Sequence, residues 1–193
     1  KIVFSGVGKT SEEIKYAINK KILLLNAESK SEIIEIEKIA KSKNKIIDIG
    51  IRLNPNTDAK TLKQISTGKK ENKFGVDRKN FLKLVKYSKD SKYISLKCLS
   101  VHIGSQIVNH KPYTKIIDKI IKKSNHEFKF IDLGGGMGIS YNKNIKKLNY
   151  KKYSTQINNF LKNHKSKIIF EPGRSIVGDI GILISQVVYI KES

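Results

Sequence analysis

Polar and glycine-rich clusters follow several short apolar runs of this chain, and the EPGRS cluster at residues 171–175 is the richest in chemical groups. It places the carboxylate of Glu171 and the guanidinium of Arg174 on either side of Pro172 and Gly173. A carboxylate at a strand end can keep a proton on a ring nitrogen, and a guanidinium can bind a carboxylate or phosphate through two hydrogen bonds. A structural ion pair between the two side chains is an equally good interpretation of the motif alone.

Two further clusters supply a flat ring and a group of backbone amides. In HIGSQ, His102 can stack on a planar ligand and Ser105 can donate to a phosphate, although a lone histidine is more often a core residue. In DLGGGMG, Gly134, Gly135 and Gly136 leave backbone N–H groups open to an anion, although such a run also makes tight turns. Rossmann methyltransferases carry a similar glycine loop, but theirs follows the first strand, whereas most predicted strands here precede it.

GVGKT, at residues 6–10, is similar to the end of a nucleotide-binding P-loop, but its spacing excludes one. The pattern G-x-x-x-x-G-K-[ST] requires a glycine at position 3, where this chain has Val3 inside an apolar run. Thr10 followed by Glu13 instead predicts a capping box at the start of a helix.

Short apolar runs separated by amphipathic segments predict parallel strands covered by helices. This alternation predicts an α/β fold, a (β/α)8 TIM-type barrel of which the chain holds about six of eight units. An open doubly wound sheet is the alternative. Loops that follow the strands of such a barrel converge at one rim, so the clusters above should meet there. The predicted strands are Ile2–Phe4, Ile22–Leu25, Ile46–Leu53, Ile94–His102, Phe128–Leu133 and Lys167–Glu171. The predicted helices are Thr10–Asn19, Ser31–Ala40, Asn80–Tyr87, Pro112–Lys122 and Tyr153–Leu161.

The pattern changes near the C-terminus. Residues 1–178 form the predicted partial barrel, whereas residues 179–193 contain the strand-like run GILISQVVYI with no helix before it. We interpret 179–193 as the start of a C-terminal β-domain. The chain also begins without Met and directly in an apolar run, which indicates a fragment.

A formal net charge of +22 suggests nucleic-acid binding, but the composition argues against it. Arginines are rare beside the many lysines, and aromatic residues do not alternate with basic ones as a stacking platform requires. We expect lysine-rich solvated faces, with neither nucleic acid nor membrane as a partner. The single cysteine, Cys98, excludes an internal disulfide and favours the cytoplasm, and no histidine or cysteine spacing predicts a metal site.

The motifs NAES, RLNPN, STGKKENKFG, HIGSQ, DLGGGMG and EPGRSIVG occur in the order and approximate spacing of the diaminopimelate decarboxylase family. The chain therefore resembles fold-type III pyridoxal-phosphate enzymes, which include alanine racemase and ornithine decarboxylase. The resemblance implies pyridoxal 5′-phosphate as cofactor and the conversion of meso-diaminopimelate to L-lysine and CO₂, the last step of lysine biosynthesis.

The resemblance also implies roles for individual residues. Glu171 corresponds to the carboxylate that keeps the pyridine nitrogen protonated, and His102 to the imidazole that stacks on the ring. Arg174 corresponds to a contact with the substrate carboxylate. The phosphate cradle corresponds to Ser105, Gly134, Gly135 and Gly136, and to Gly173 with its neighbours Pro172 and Arg174.

The family further implies a homodimer, a Schiff-base lysine upstream of residue 1 and a C-terminal domain that completes the site, so the chain alone should be inactive. Two alternatives share the cofactor: a decarboxylase of ornithine, arginine or carboxynorspermidine, and a non-enzymatic pyridoxal-phosphate-binding barrel. The strand-like run after residue 178 disfavours the second alternative.

Overall fold

The computed structural model describes residues 1–56, 73–118, 127–141 and 147–192, in which six parallel strands alternate with six helices. The strands are β1 (Val3–Phe4), β2 (Leu24–Ala27), β3 (Ile47–Arg52), β4 (Ile94–Ser100), β5 (Phe130–Asp132) and β6 (Lys167–Ile169). The helices are α1 (Ser11–Asn19), α2 (Lys30–Ser42), α3 (Arg78–Asp90), α4 (Lys111–Ile116), α5 (Tyr150–Leu161) and α6 (Arg174–Val177).

The strand order confirms the predicted incomplete barrel. Each strand pairs in parallel with the next one along the chain, in the order β1 to β6. A doubly wound sheet reverses its strand order at a switch point, and this sheet does not. The sheet also curls into a half-barrel, since Ser5 after β1 contacts Glu171 after β6 at the opposite edge.

Apolar helix faces and the inner strands form one core. Ile14 and Ile18 of α1, like Ile33 and Ile36 of α2, are almost fully buried against β2 and β3 residues such as Ile49. The prediction of strands buried on both faces is confirmed for β2, whereas the edge strands β1 and β6 are only half-buried or exposed. An edge strand lacks a neighbour on one side, so less of its surface is covered.

The helix start predicted in GVGKT is confirmed. The Thr10 hydroxyl accepts from the Glu13 N–H, and the Glu13 carboxylate accepts from the Thr10 N–H at 2.8 Å. Lys9 is buried and its ammonium donates to Glu32 at 2.6 Å and to the carbonyls of Gly6 and Asn26. The lysine of this motif thus ties the loop before α1 to the start of α2.

Several predicted strands extend too far at their C-terminal ends. β6 ends at Ile169 rather than at residue 171, and β4 ends at Ser100 rather than at residue 102. Beyond these points the backbone bonds to neighbouring loops, as the Glu171 N–H does to the Gly134 carbonyl at 2.9 Å. Much of the polar loop STGKKENKFG and the end of the predicted helix 112–122 lie outside the described residues.

Residues 179–192 contain neither helix nor strand, so the strand predicted in GILISQVVYI is not formed. No described segment pairs with it, and a strand needs a partner for its backbone hydrogen bonds. Its apolar side chains are exposed, with Leu183 at 95%. Within the described ranges no helix has the length and apolarity needed to cross a membrane.

Candidate functional site

Polar side chains from every strand meet where the C-terminal ends of the parallel strands converge. The loops after these strands carry the residues predicted from sequence, while the strands themselves add buried polar groups for which the sequence predicted no role. The residues at these ends are Ser5, Asn26, Glu28, Arg52, Ser100, His102, Asp132 and Glu171.

Asp132, the last residue of β5, is the centre of a buried hydrogen-bond network. Its carboxylate accepts from Asn26 Nδ2 at 2.8 Å, from Ser100 Oγ at 3.1 Å and from the Gly134 N–H at 2.8 Å. Burial, followed by the negative charge of Glu171, raises the pKa of Asp132, and the three donors oppose that rise. The carboxylate thus joins three strand ends to the start of the glycine loop.

Asn26 in β2 extends this network towards the first strand. Its Nδ2 group also donates to Ser5 Oγ at 3.0 Å, whereas its buried Oδ1 atom has no hydrogen-bond partner in the part of the chain that the structure describes. Gly50 of β3 leaves the room for this amide, since a Cβ there would lie 1.9 Å from Asn26 Oδ1. A buried acceptor without a partner is costly, so its presence here calls for a specific reason.

Glu171 ends this chain of hydrogen bonds on the far side of the half-barrel. Ser5 Oγ donates to Glu171 Oε1 at 2.5 Å, and the carboxylate is only half-buried. The connection from Asp132 through Asn26 and Ser5 to Glu171 therefore holds the carboxylate predicted to act on a ring nitrogen.

His102 is held against the glycine loop. Its Nδ1 atom accepts from the Gly135 N–H at 3.2 Å. Burial, together with the nearby Arg52 charge, lowers the pKa of His102 to about 4, so the ring is neutral at pH 7. A neutral ring that accepts at Nδ1 carries its hydrogen on Nε2.

The glycine loop packs too closely on its neighbours to admit side chains. A Cβ at Gly134 would lie 2.6 Å from His102 Nδ1, and one at Gly135 would lie 2.1 Å from the Glu171 carbonyl oxygen. Gly134 and Gly136 also have positive φ angles of 64° and 87°. The structure therefore brings His102, the glycine loop and Glu171 together, as the motifs predicted.

Ser105 lies beside this loop but is not bonded to it. A Cβ at Gly136 would lie 2.1 Å from the carbonyl oxygen of Gly104, so the HIGSQ segment runs directly against the glycines. Ile107 N–H donates to the Gly136 carbonyl at 2.8 Å, which fixes this contact. Within the described ranges, Ser105 itself forms no hydrogen bond, and its hydroxyl is partly exposed.

Arg174 contacts Tyr141 and forms no ion pair with Glu171 among the described residues. Its guanidinium donates to Tyr141 Oη at 2.6 Å and lies 5.7 Å from the centre of the Tyr141 ring. The alternative of a Glu171–Arg174 ion pair is therefore wrong, because the backbone turns into α6 at Gly173 and directs the arginine elsewhere. Pro172 and Gly173 are exposed, and apart from the adjacent residues no atom of the described chain lies within 4 Å of a Cβ built at Gly173.

A buried ion pair flanks the site on the other side. Arg52 Nη1 donates to Glu28 Oε1 at 2.7 Å, and the second oxygen of Glu28 accepts from the Gly75 N–H at 3.1 Å. The Arg52 guanidinium lies 4.8 Å from the centre of the Phe74 ring. The end of the polar loop STGKKENKFG is thus anchored to the ends of β2 and β3.

The described residues suit a phosphorylated aromatic cofactor. The neutral face of His102, the half-buried Glu171 carboxylate and a side-chain-free glycine loop converge at one rim. The Gly136 N–H donates to no group in the described part of the chain, so the loop keeps a donor for an anion. None of the His, Cys, Asp and Glu clusters among those residues could hold a metal ion.

Comparisons with known proteins point the same way. Residues 1–178 match the family model "Pyridoxal-dependent decarboxylase, pyridoxal binding domain". The whole chain is 44% identical to the diaminopimelate decarboxylase of Helicobacter pylori strain J99, covering 49% of it, and 37% identical to that of Aquifex aeolicus, covering 47% of it. The chain thus spans about half the length of the curated relatives it matches.

Solved structures show the same likeness. A diaminopimelate decarboxylase from Helicobacter pylori in complex with L-lysine superposes with a TM-score of 0.81 at 43% identity, over 91% of this chain and 46% of that one. One from M. jannaschii, also in complex with L-lysine, gives a TM-score of 0.78 at 33% identity, over 91% of this chain and 44% of that one.

Proposed function

This chain belongs to the pyridoxal-dependent decarboxylases, and on that premise we propose that its protein converts meso-2,6-diaminopimelate to L-lysine and CO₂ as the last step of lysine biosynthesis. The observation that carries the proposal is the convergence of Glu171, His102 and the glycine loop at the strand ends. Relatives that are 35–44% identical over nearly the whole chain are named diaminopimelate decarboxylases, which favours this substrate over ornithine or arginine.

Pyridoxal 5′-phosphate is the cofactor that these residues would hold. When bound, it supplies an electron sink that accepts the electrons left on Cα as CO₂ departs. The side-chain-free loop at residues 134–136 and the orphaned Gly136 N–H are what a phosphate group requires.

Glu171 is proposed to hold a proton at the cofactor's ring nitrogen. Its carboxylate already accepts from Ser5, and the chain of hydrogen bonds through Asn26 to Asp132 orients it. A proton shared with this carboxylate would keep the ring cationic and thus electron-accepting.

His102 is proposed to stack on the ring. Its imidazole is neutral and fixed by the Gly135 N–H, so it offers a flat face without competing for a proton. The low pKa keeps this state across the physiological range of pH.

The remaining assignments concern the phosphate and the substrate. Ser105 and the backbone of Gly173 with its neighbours Pro172 and Arg174 complete the proposed phosphate cradle, and Arg174 binds the substrate carboxylate. The partly exposed Arg174 guanidinium is held by Tyr141, which leaves further donors for such a partner.

The lysine that binds the cofactor covalently is assigned to none of the described residues. Among the described residues, Lys9 has a buried side chain near the strand ends, but its ammonium already donates to Glu32 and to two carbonyls. We also propose a homodimer, a cytoplasmic location and a separate β-domain beginning near residue 179. The exposed apolar side chains of residues 180–190 support the last of these, since such a surface requires cover.

The test is a decarboxylation assay on the product of the open reading frame that encodes this chain. With pyridoxal 5′-phosphate added, CO₂ release is compared for meso-diaminopimelate, ornithine and arginine. We expect release from meso-diaminopimelate with lysine as product. Clear activity on ornithine or arginine alone would refute the substrate assignment and leave the cofactor assignment intact.

A further inference from the structure

Tyr113 of α4 makes a buried hydrogen bond to the glycine loop that the proposed chemistry does not use. Its ring is fully buried, and its hydroxyl donates to the Gly135 carbonyl at 2.7 Å. Burial raises the pKa of Tyr113, so the hydroxyl stays protonated and remains a donor.

The two peptide units on either side of Gly135 are nearly fully bonded within the protein. In the first unit, the Gly134 carbonyl accepts from Glu171 N–H at 2.9 Å and the Gly135 N–H donates to His102 Nδ1 at 3.2 Å. In the second unit, the Gly135 carbonyl accepts from Tyr113, while the Gly136 N–H has no partner among the described residues. One donor out of four polar groups is thus left for a ligand.

The direction of that donor follows from the geometry of the peptide. No described peptide bond is cis, and in a trans peptide the carbonyl of one residue and the N–H of the next point in opposite directions. Because Tyr113 draws the Gly135 carbonyl towards α4, the Gly136 N–H must point away from α4. Glycine on both sides of this unit would otherwise let the peptide rotate easily.

We propose that Tyr113 is a positioning residue for the anion-binding loop: it holds the Gly135–Gly136 peptide so that the Gly136 N–H faces the cofactor's phosphate. This inference rests on the proposed function, because it takes pyridoxal 5′-phosphate as the ligand. Tyr113 itself touches neither cofactor nor substrate, and it acts only through the orientation of one peptide unit.

Tyr153 of α5 offers a matched control. Its ring lies 4.6 Å from that of Tyr113, and it is also almost fully buried. Its hydroxyl, however, has no hydrogen-bond partner among the described residues. Removing either hydroxyl therefore makes a similar change in the same aromatic cluster, but only the removal of the Tyr113 hydroxyl releases the glycine loop.

The experiment measures cofactor affinity in the apo form of the full-length protein by absorbance titration, with pyridoxal 5′-phosphate and with pyridoxal, which lacks the phosphate. We expect Tyr113→Phe to raise the Kd for pyridoxal 5′-phosphate about 5-fold to 10-fold, because one oriented hydrogen bond contributes about that much to affinity. The Kd for pyridoxal should be unchanged. Tyr153→Phe should change neither. Equal affinities for Tyr113→Phe and wild type, or an equal loss for both ligands, would overturn the proposal.

A second measurement needs no variant. Amide hydrogen exchange at Gly136 in the wild-type protein should slow when pyridoxal 5′-phosphate is added and should not slow with pyridoxal. Unchanged exchange with pyridoxal 5′-phosphate would count against Tyr113 orienting this donor. If the wild-type protein binds no pyridoxal 5′-phosphate at all, the proposed function fails first, and that result is distinct from a failure confined to Tyr113.

Discussion

The Ser5 hydroxyl donates to the Glu171 carboxylate at 2.5 Å, although 166 residues separate them. The two follow the first and the last strands of the sheet, so the contact spans the open side of the half-barrel. A carboxylate that accepts such a hydrogen bond has its orientation fixed. This is the state needed by a group that holds a proton on a cofactor ring.

Replacing Glu171 with Gln should lower kcat by about 100-fold or more, because an amide cannot keep the ring nitrogen protonated. The fold should survive, since the amide oxygen can still accept from Ser5 and the side chain is only half-buried. Steady-state kinetics and circular dichroism on the variant measure the two effects. Glu12→Gln, at an exposed position of α1, is the control, and unchanged turnover in Glu171→Gln would reject the assigned role.

Two glycines of the proposed cradle should differ in their tolerance of alanine. At Gly135 a Cβ would lie 2.1 Å from the Glu171 carbonyl, a backbone atom that cannot move without shifting the whole loop. At Gly173, where φ is −107°, a Cβ meets nothing within 4 Å. We expect Gly135→Ala to weaken pyridoxal 5′-phosphate binding at least about 10-fold and to destabilise the fold by about 1–3 kcal/mol. Gly173→Ala should change neither the affinity for pyridoxal 5′-phosphate nor the stability of the fold appreciably. A Gly135→Ala variant with unchanged affinity and stability would contradict the close packing of the loop.

The sequence predicted the barrel and the convergence of the motifs well, for a simple physical reason. Strand and helix alternation dictates a parallel sheet, and the loops after parallel strands must lie at one edge. The proximity of His102, Glu171 and the glycine loop could therefore be predicted without knowing the contacts between them.

The polar network beneath the site could not be predicted in the same way. Asn26 directly follows an apolar run and Asp132 lies within another, and only the curl of the sheet brings their side chains together. Ser5 directly precedes the GVGKT motif, and no local pattern indicates a partner so distant along the chain. The contact of Arg174 with Tyr141 could not be predicted either, because it depends on the turn into α6 at Gly173.

The Glu28–Arg52 ion pair should be strongly coupled. Both side chains are at least 90% buried, so removing one leaves an uncompensated charge. We expect Glu28→Ala and Arg52→Ala each to lower the free energy of unfolding by about 3 kcal/mol, and the double variant to lose less than the sum by about 1–3 kcal/mol. Chemical denaturation of the four proteins measures this coupling.

The exposed Glu35–Lys38 pair provides the contrast for that cycle. Its atoms are 3.9 Å apart and the lysine side chain is 77% exposed. Lys38→Ala should change stability by less than about 0.5 kcal/mol. Additive effects at Glu28 and Arg52 would show that the buried pair contributes no more than this exposed one.

His102 should make the folded protein sensitive to acid. Its pKa is about 4 in the folded state and near 6.5 in the unfolded chain, so the unfolded state binds the proton first as the pH falls. Stability attributable to His102 is therefore complete above pH 6.5 and is lost progressively towards pH 4. The raised pKa of Asp132 acts in the opposite direction, because the folded state binds that proton more readily and gains stability as the pH falls.

Comparing wild type with His102→Gln isolates the histidine, since Asp132 is present in both. Between pH 7 and pH 5 the wild-type protein should lose about 2 kcal/mol more stability than the variant, from 1.36 kcal/mol for each pH unit below 6.5. Urea denaturation at several pH values measures the difference, and NMR titration of the imidazole should show a neutral ring at pH 5.5. A titration midpoint near 6.5 in the folded protein would mean that the ring is neither buried nor held by the Gly135 N–H as the structure indicates.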